Sequence, residues 1–235
     1  MKDRDDIFTK KMSSLMSNNK FKAPFVENQF YHIYNRTNNK ELLFRNDENK
    51  NYFLKRYAHY TSPFLDTYSW NLLPNHFHLL VKVKSVEALT DHLLNKPKKH
   101  LCATELKFLF HKATIHDLID NMFQRFLISY SMSFNNVHGR KGNLLHRPFK
   151  HVHVNKESQF TQTTIYINAN AIKHGLIKDF TEHKWSSYHT ILSNKPTNLF
   201  REEVLDWFGG KERFIHTLKE QTKYYYSCDT AIDDV

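Results

Sequence analysis

The run His76–Val83 (HFHLLVKV) constrains this chain more than any other stretch. It follows a Pro74-Asn75 break and is almost continuously apolar, which reads as a strand covered on both faces and therefore central in its sheet. Central strands need neighbours, and the chain offers several. Phe30–Tyr34 (FYHIY), Thr67–Leu72 and Phe149–Val154 all have strand character.

Helical signals lie between these strands. Asn46 reads as the N-cap of a helix to about Tyr60, with Phe53, Leu54 and Tyr57 on one face. Ser85 reads as the cap of a helix through Leu94. Phe123, Phe126, Leu127, Tyr130 and Phe134 recur at helical spacing, which predicts an amphipathic helix over 117–137. Residues 156–173 read as a helix, residues 138–143 (HGRKGN) as a basic turn, and 95–116 as basic with no clear assignment. Aromatic anchors at Trp185, Tyr188, Trp207 and Phe208 precede a basic helix and an acidic end. Strands and helices mix without strict βαβ alternation, so the expected class is α+β, an antiparallel sheet with helices on one face.

Charge narrows the partners. The 235 residues carry a formal net charge of +10, and a basic surface draws polyanions, nucleic acid first among them. Nineteen Phe and twelve Tyr supply core, but also flat rings on which unpaired bases stack. Only five Gly are present, with no GxxxxGK[ST] or GxGxxG string, so no nucleotide cofactor is expected. Cys102 and Cys228 lack metal or redox spacing, the start of the chain is too charged for a signal peptide, and no apolar run approaches the length of a membrane span. A cytoplasmic protein with no membrane partner is expected.

On a strand, His76 and His78 point to the same face, close enough to share one metal ion, while Phe77 points to the opposite layer. A chain with sixteen His can produce such a triplet by chance, and His151-Val152-His153 is a second one. Residue spacing alone does not choose between them.

Four strings, in order, carry a resemblance: YHIYNR (31–36), LPNHFHLLVKV (73–83), GRKGNLLHRPFK (139–150) and YINANAIKHGL (166–176). Together they resemble the one-tyrosine HUH transposases of the IS200-like superfamily, and among these the REP-associated tyrosine transposases. The likeness spans roughly residues 29–192. It implies a ferredoxin-like antiparallel sheet with the histidine strand in the centre, and a helical C-terminal extension. The family's histidine pair follows Pro-Asn, which selects His76 and His78 as metal ligands and leaves the 151/153 pair as strand surface or DNA contact.

The same resemblance makes Tyr166 the nucleophile and Asn170, on the same helical face, the third ligand. An amide oxygen donor suits Mg2+ or Mn2+ more than zinc. The implied activity is single-strand DNA cleavage and strand transfer on hairpin DNA through a 5′-phosphotyrosine. The alternative is a hairpin-DNA binding protein of the same family that does not cut, motivated by Ala171 where relatives carry Pro. Replication initiators or relaxases with a similar site fit the strings less well, and a basic RNA-binding module would use the same rings and charges.

Asn35, Arg36, Arg140, Lys141, Arg147 and Lys150 lie in the family-like segments and are expected to contact DNA, as is Lys173 beside the nucleophile helix. The expected organisation is a flexible basic arm over 1–25, a transposase domain over 26–180 and a helical extension over 181–235. Monomer and homodimer are both compatible with the resemblance.

Overall fold

The structure is a computed structural model that describes residues 23–227, with side chains through residue 223. Residues 1–22 of the expected 1–25 arm, and the acidic end, lie outside the described residues. Four strands, β1 (Phe30–Arg36), β2 (Leu65–Leu73), β3 (His76–Val83) and β4 (Lys150–Val154), form one sheet in the order β2-β3-β1-β4. Every pairing is antiparallel. With α1 (Asp47–Thr61) joining β1 to β2 and α4 (Ile115–Val137) joining β3 to β4, the order is βαββαβ, a ferredoxin-like arrangement.

The apolar run at β3 explains its place. Phe77, Leu79, Val81 and Val83 are fully buried on one face, and Leu80 is fully buried on the other. Only an inner strand with helices on both sides can bury both sets. α1 starts where its sequence says it should, with the Asn46 side chain accepting from the Asn49 amide at 2.9 Å. Its Phe53 ring then meets Phe77, Phe126 and Tyr130, each at 5.0 Å between centroids. α4 opens with a reciprocal capping box between Thr114 and Asp117 and buries the Phe123, Phe126, Leu127, Tyr130 and Phe134 stripe. α2 (Val86–Leu94) is capped by Ser85, and the unassigned basic stretch contains a short helix, α3 (Ala103–Leu109).

The antiparallel α+β sheet stands as read, and the structure adds a second helical layer. α5 (Glu157–Lys173) crosses the other face, and α6 (Tyr188–Leu192), α7 (Arg201–Phe208) and α8 (Lys211–Ser227) follow it. Tyr68 and Leu80 of the sheet share a core there with Phe160, Ile165, Ile167, Tyr188, Phe208 and Phe214. The C-terminal helices therefore complete a core rather than hang from it. Ahead of β1, Phe25 is buried and stacks on His151 at 4.2 Å, so this end of the expected arm packs against the sheet.

Phe53→Ala is expected to cost about 3–5 kcal/mol of stability, the range for a large ring removed from a packed core. Leu94→Ala, at a side chain 67% exposed, is expected to stay within about 0.5 kcal/mol. Urea unfolding of the two variants measures the difference.

Candidate functional site

Strand parity assembles the site. In the β1–β3 register Tyr34 lies opposite His78, Arg36 opposite His76 and His32 opposite Leu80. His32, Tyr34, Arg36, His76 and His78 therefore share one face, the face that α5 crosses. Lys150 pairs with Tyr34 from the other side and extends that face onto β4. On α5, Tyr166, Asn170 and Lys173 are spaced by four and three residues and project from one side.

His76 is held at both ring nitrogens. Its Nδ1 lies 2.7 Å from the Asn75 Oδ1, and its Nε2 lies 3.3 Å from the Asn170 Oδ1. An amide oxygen carries no proton, so Nδ1–H donates to Asn75. In the neutral ring Nε2 then presents a lone pair toward a second lone-pair atom. Two acceptors facing each other repel unless a proton or a cation lies between them. Asn170 is fully buried, and its Nδ2 finds no hydrogen-bond partner. With the amide turned over, Nδ2 would donate to the His76 Nε2; the orientation with oxygen toward the histidine is the one that suits a cation between them.

His78 sits beside it, with ring centroids 5.1 Å apart and planes nearly perpendicular. Its Nδ1 lies 3.0 Å from the Nε2 of His32, and both rings are buried. Burial holds His78 well below the ordinary histidine range, and the neighbouring titratable groups His76, His32, His174 and Lys173 lower it further. Burial alone lowers His32 to about 3. Both rings are therefore neutral at pH 7, the form that binds metals. Two imidazole nitrogens and one amide oxygen fit a borderline or hard divalent ion. Among the described residues no three His, Cys, Asp or Glu side chains gather into a metal cluster, so Asn170 is what makes a third donor here.

Two phenols border the histidines. Tyr166 meets His78 at 5.4 Å and His32 at 5.8 Å, edge to face, and the Lys173 Nζ lies over its ring at 5.5 Å. Tyr34 stacks on His78 at 5.6 Å, and burial pushes its hydroxyl up to about 12. His174, at the end of α5, packs on His76 at 4.8 Å.

A buried polar clamp fixes α5 over the sheet. Asn168 donates to the Ser69 Oγ at 3.0 Å and to the Thr164 carbonyl at 2.9 Å, while Ser187 donates to the Asn168 Oδ1 at 3.0 Å. Asn71 on β2 donates to the Ile167 carbonyl at 2.5 Å, and His183 lies 2.9 Å from the Asn71 Oδ1. The helix runs unbroken through the buried Ala171 to Lys173 and then closes at Gly175, whose φ is 64°. There the Gly175 amide donates to Ile172 and the Leu176 amide to Ala171, a Schellman-type stop.

Sequence reasoning missed His32, Ser69, Asn71, Asn168, His183 and Ser187. Two Asn inside one helix were the available signal, because Asn competes with the helix backbone and is disfavoured there without a tertiary partner.

The expected DNA contacts divide. Arg36 is exposed beside His76, Lys150 is half-buried on the same face, and Lys173 stands over Tyr166. Lys141 and Arg147 are exposed on the loop between α4 and β4. Asn35 differs from the expectation. It is buried on the opposite face, donating to the His146 carbonyl at 3.0 Å and accepting from the Arg36 amide at 2.9 Å. Arg140 differs too. Its guanidinium pairs with both carboxylate oxygens of Glu41, at 2.5 and 2.7 Å, and with the carbonyls of Gly142 and Asn143. A sequence displays an arginine's charge but not the carboxylate 99 residues away that matches it. His151 is buried as well, with its Nε2 2.8 Å from the Ala23 carbonyl, so it is not strand surface.

Compared with protein-family models and with curated proteins, the chain matches none. A solved structure of a REP-associated tyrosine transposase bound to a REP hairpin aligns with it at 12% identity. The alignment covers 76% of this chain and 89% of that one, with a TM-score of 0.46. That is a distant likeness, and it bears no weight for activity. No described helix is long and apolar enough to cross a membrane.

Asn168→Ala leaves Ser69 and Ser187 without their amide partner in a fully buried place. A loss of about 1–3 kcal/mol in urea unfolding is expected, the cost of unsatisfied buried polar groups.

Proposed function

We propose that this chain is a metal-dependent tyrosine transposase that cuts and rejoins single-stranded or hairpin DNA. One observation carries the reading. Tyr166 and Asn170, one helical turn apart, are brought against His76 and His78 from a strand about 90 residues earlier. Sequence order alone gives no reason for these four to meet. The ordered strings that resemble the IS200-like family supply the chemistry such a meeting would perform.

In this reading His76, His78 and Asn170 hold Mg2+ or Mn2+. The ion, when bound, polarises the phosphoryl oxygen and offsets the charge that develops on it. The Tyr166 oxygen attacks phosphorus, forming the phosphotyrosine bond to the 5′ side. The bond from phosphorus to the 3′ oxygen breaks, and that oxygen leaves with a proton as a free 3′-OH. The phenol's proton passes to solvent or a nearby base. Because the product remains a phosphodiester, the reverse attack by a 3′-OH rejoins DNA without ATP.

Lys173 places a positive charge over the ring where a phenolate forms. Arg36 and Lys150 line the same sheet face and suit the flanking phosphates. Burial pushes the Tyr34 hydroxyl up to about 12, which disfavours it as the nucleophile beside His78.

The test is a labelled hairpin oligonucleotide with Mn2+, followed by denaturing electrophoresis. Wild type is expected to give a covalent protein–DNA adduct. Tyr166→Phe is expected to give none while still shifting the hairpin in a native gel. Adducts that persist in Tyr166→Phe move the nucleophile elsewhere. Wild type that shifts DNA under every metal condition without cutting it is a hairpin-binding protein instead.

A further inference from the structure

His32 has no role in the chemistry above, yet its ring is hydrogen-bonded to a nitrogen of His78. The two nitrogens, His32 Nε2 and His78 Nδ1, are 3.0 Å apart, with the rings stacked at 5.1 Å. His32 is 8% exposed and His78 6%, so no bulk water competes for this bond. One ring must donate and the other accept. The choice sets which nitrogen of His78 keeps its lone pair.

We propose that His32 is a positioning residue: its Nε2 accepts the proton of His78 Nδ1–H and so fixes His78 in the tautomer whose lone pair is on Nε2, the one able to share a metal with His76 and Asn170. This rests on the metal reading for the direction of the bond. With the opposite direction His78 would carry its proton on Nε2 and could not ligate. The neighbouring pair is built alike. Asn75 takes the Nδ1–H of His76 at 2.7 Å and leaves that ring's Nε2 toward Asn170. Each histidine is then anchored through Nδ1, and the nitrogen left to bind is its Nε2. A carboxylate or carbonyl usually takes this place behind a metal-binding histidine. Here a second imidazole does so, and burial keeps that ring neutral, so it retains one nitrogen able to accept. The Tyr166 ring meets His32 as well as His78 edge to face, so the same imidazole also borders the nucleophile.

The experiment reads histidine tautomers by long-range proton–nitrogen NMR on the 15N-labelled full chain without metal. Wild-type His78, assigned by its loss in His78→Ala, is expected to show a pyrrole-type Nδ1 and a pyridine-type Nε2. The reverse pattern overturns the inference without any variant. His32→Phe, which keeps a ring but removes the acceptor, is expected to move His78 toward the Nε2–H form and to weaken Mn2+ binding about 10–100-fold. His32→Gln, whose Oε1 can take the same proton, is expected to retain both properties. Unchanged tautomer and affinity in His32→Phe overturn the positioning role while leaving the metal reading in place. A wild type with the expected tautomer but no Mn2+ binding overturns the metal reading, and with it the purpose of the anchor.

Discussion

The arrangement depends on how α5 is seated across the sheet. An apolar contact between a helix and a sheet tolerates sliding by a residue. The hydrogen bonds from Asn71 to Ile167 and among Asn168, Ser69 and Ser187 do not. They lie in a fully buried layer, where each unpaired group would carry a desolvation cost of about 1–3 kcal/mol. A one-residue slip would break all of them and turn Tyr166 and Asn170 away from the histidines. Polar groups thus specify a position that the surrounding Phe and Ile side chains stabilise but do not define.

The same division recurs at the histidines. β3 buries Phe77, Leu79 and Val81 into the α1–α4 layer and turns His76 and His78 to the other side. Packing against Phe53 and Phe126 fixes the strand, and the Asn75 and His32 contacts fix the rings that project from it. A rigid sheet with locked rotamers is what a site needs when its ligands must meet within a few tenths of an ångström. Charge is then laid around this point rather than in it. Arg36 and Lys150 on the sheet and Lys173 on the helix surround the histidines, and burial keeps His32 and His78 neutral.

Much of this was legible in the sequence because it depends on local rules. The Asn46 and Ser85 caps, the Phe123–Phe134 stripe and the apolar run at His76–Val83 all mark their elements, and the strand in fact lies inside the sheet. What was not legible depends on pairing across long separations. Arg140 looked like a free cation until Glu41 was found against it, and Asn35 looked polar and available until its amide was found on His146 and Arg36. The second helical layer was hidden for a related reason. Its core joins Tyr68 and Leu80 to residues past 180, and no periodicity connects segments that far apart. His32 was passed over because a single histidine beside tyrosines has no spacing signal.

The central claim is that His76, His78 and Asn170 hold one divalent ion beside Tyr166. Electron paramagnetic resonance of Mn2+ bound to the full chain, with pulsed detection of nitrogen couplings, tests it most directly. The account predicts coupling to two histidine nitrogens in wild type and to one in His76→Ala. Mn2+ that shows no histidine coupling, or coupling unchanged by His76→Ala, would contradict it.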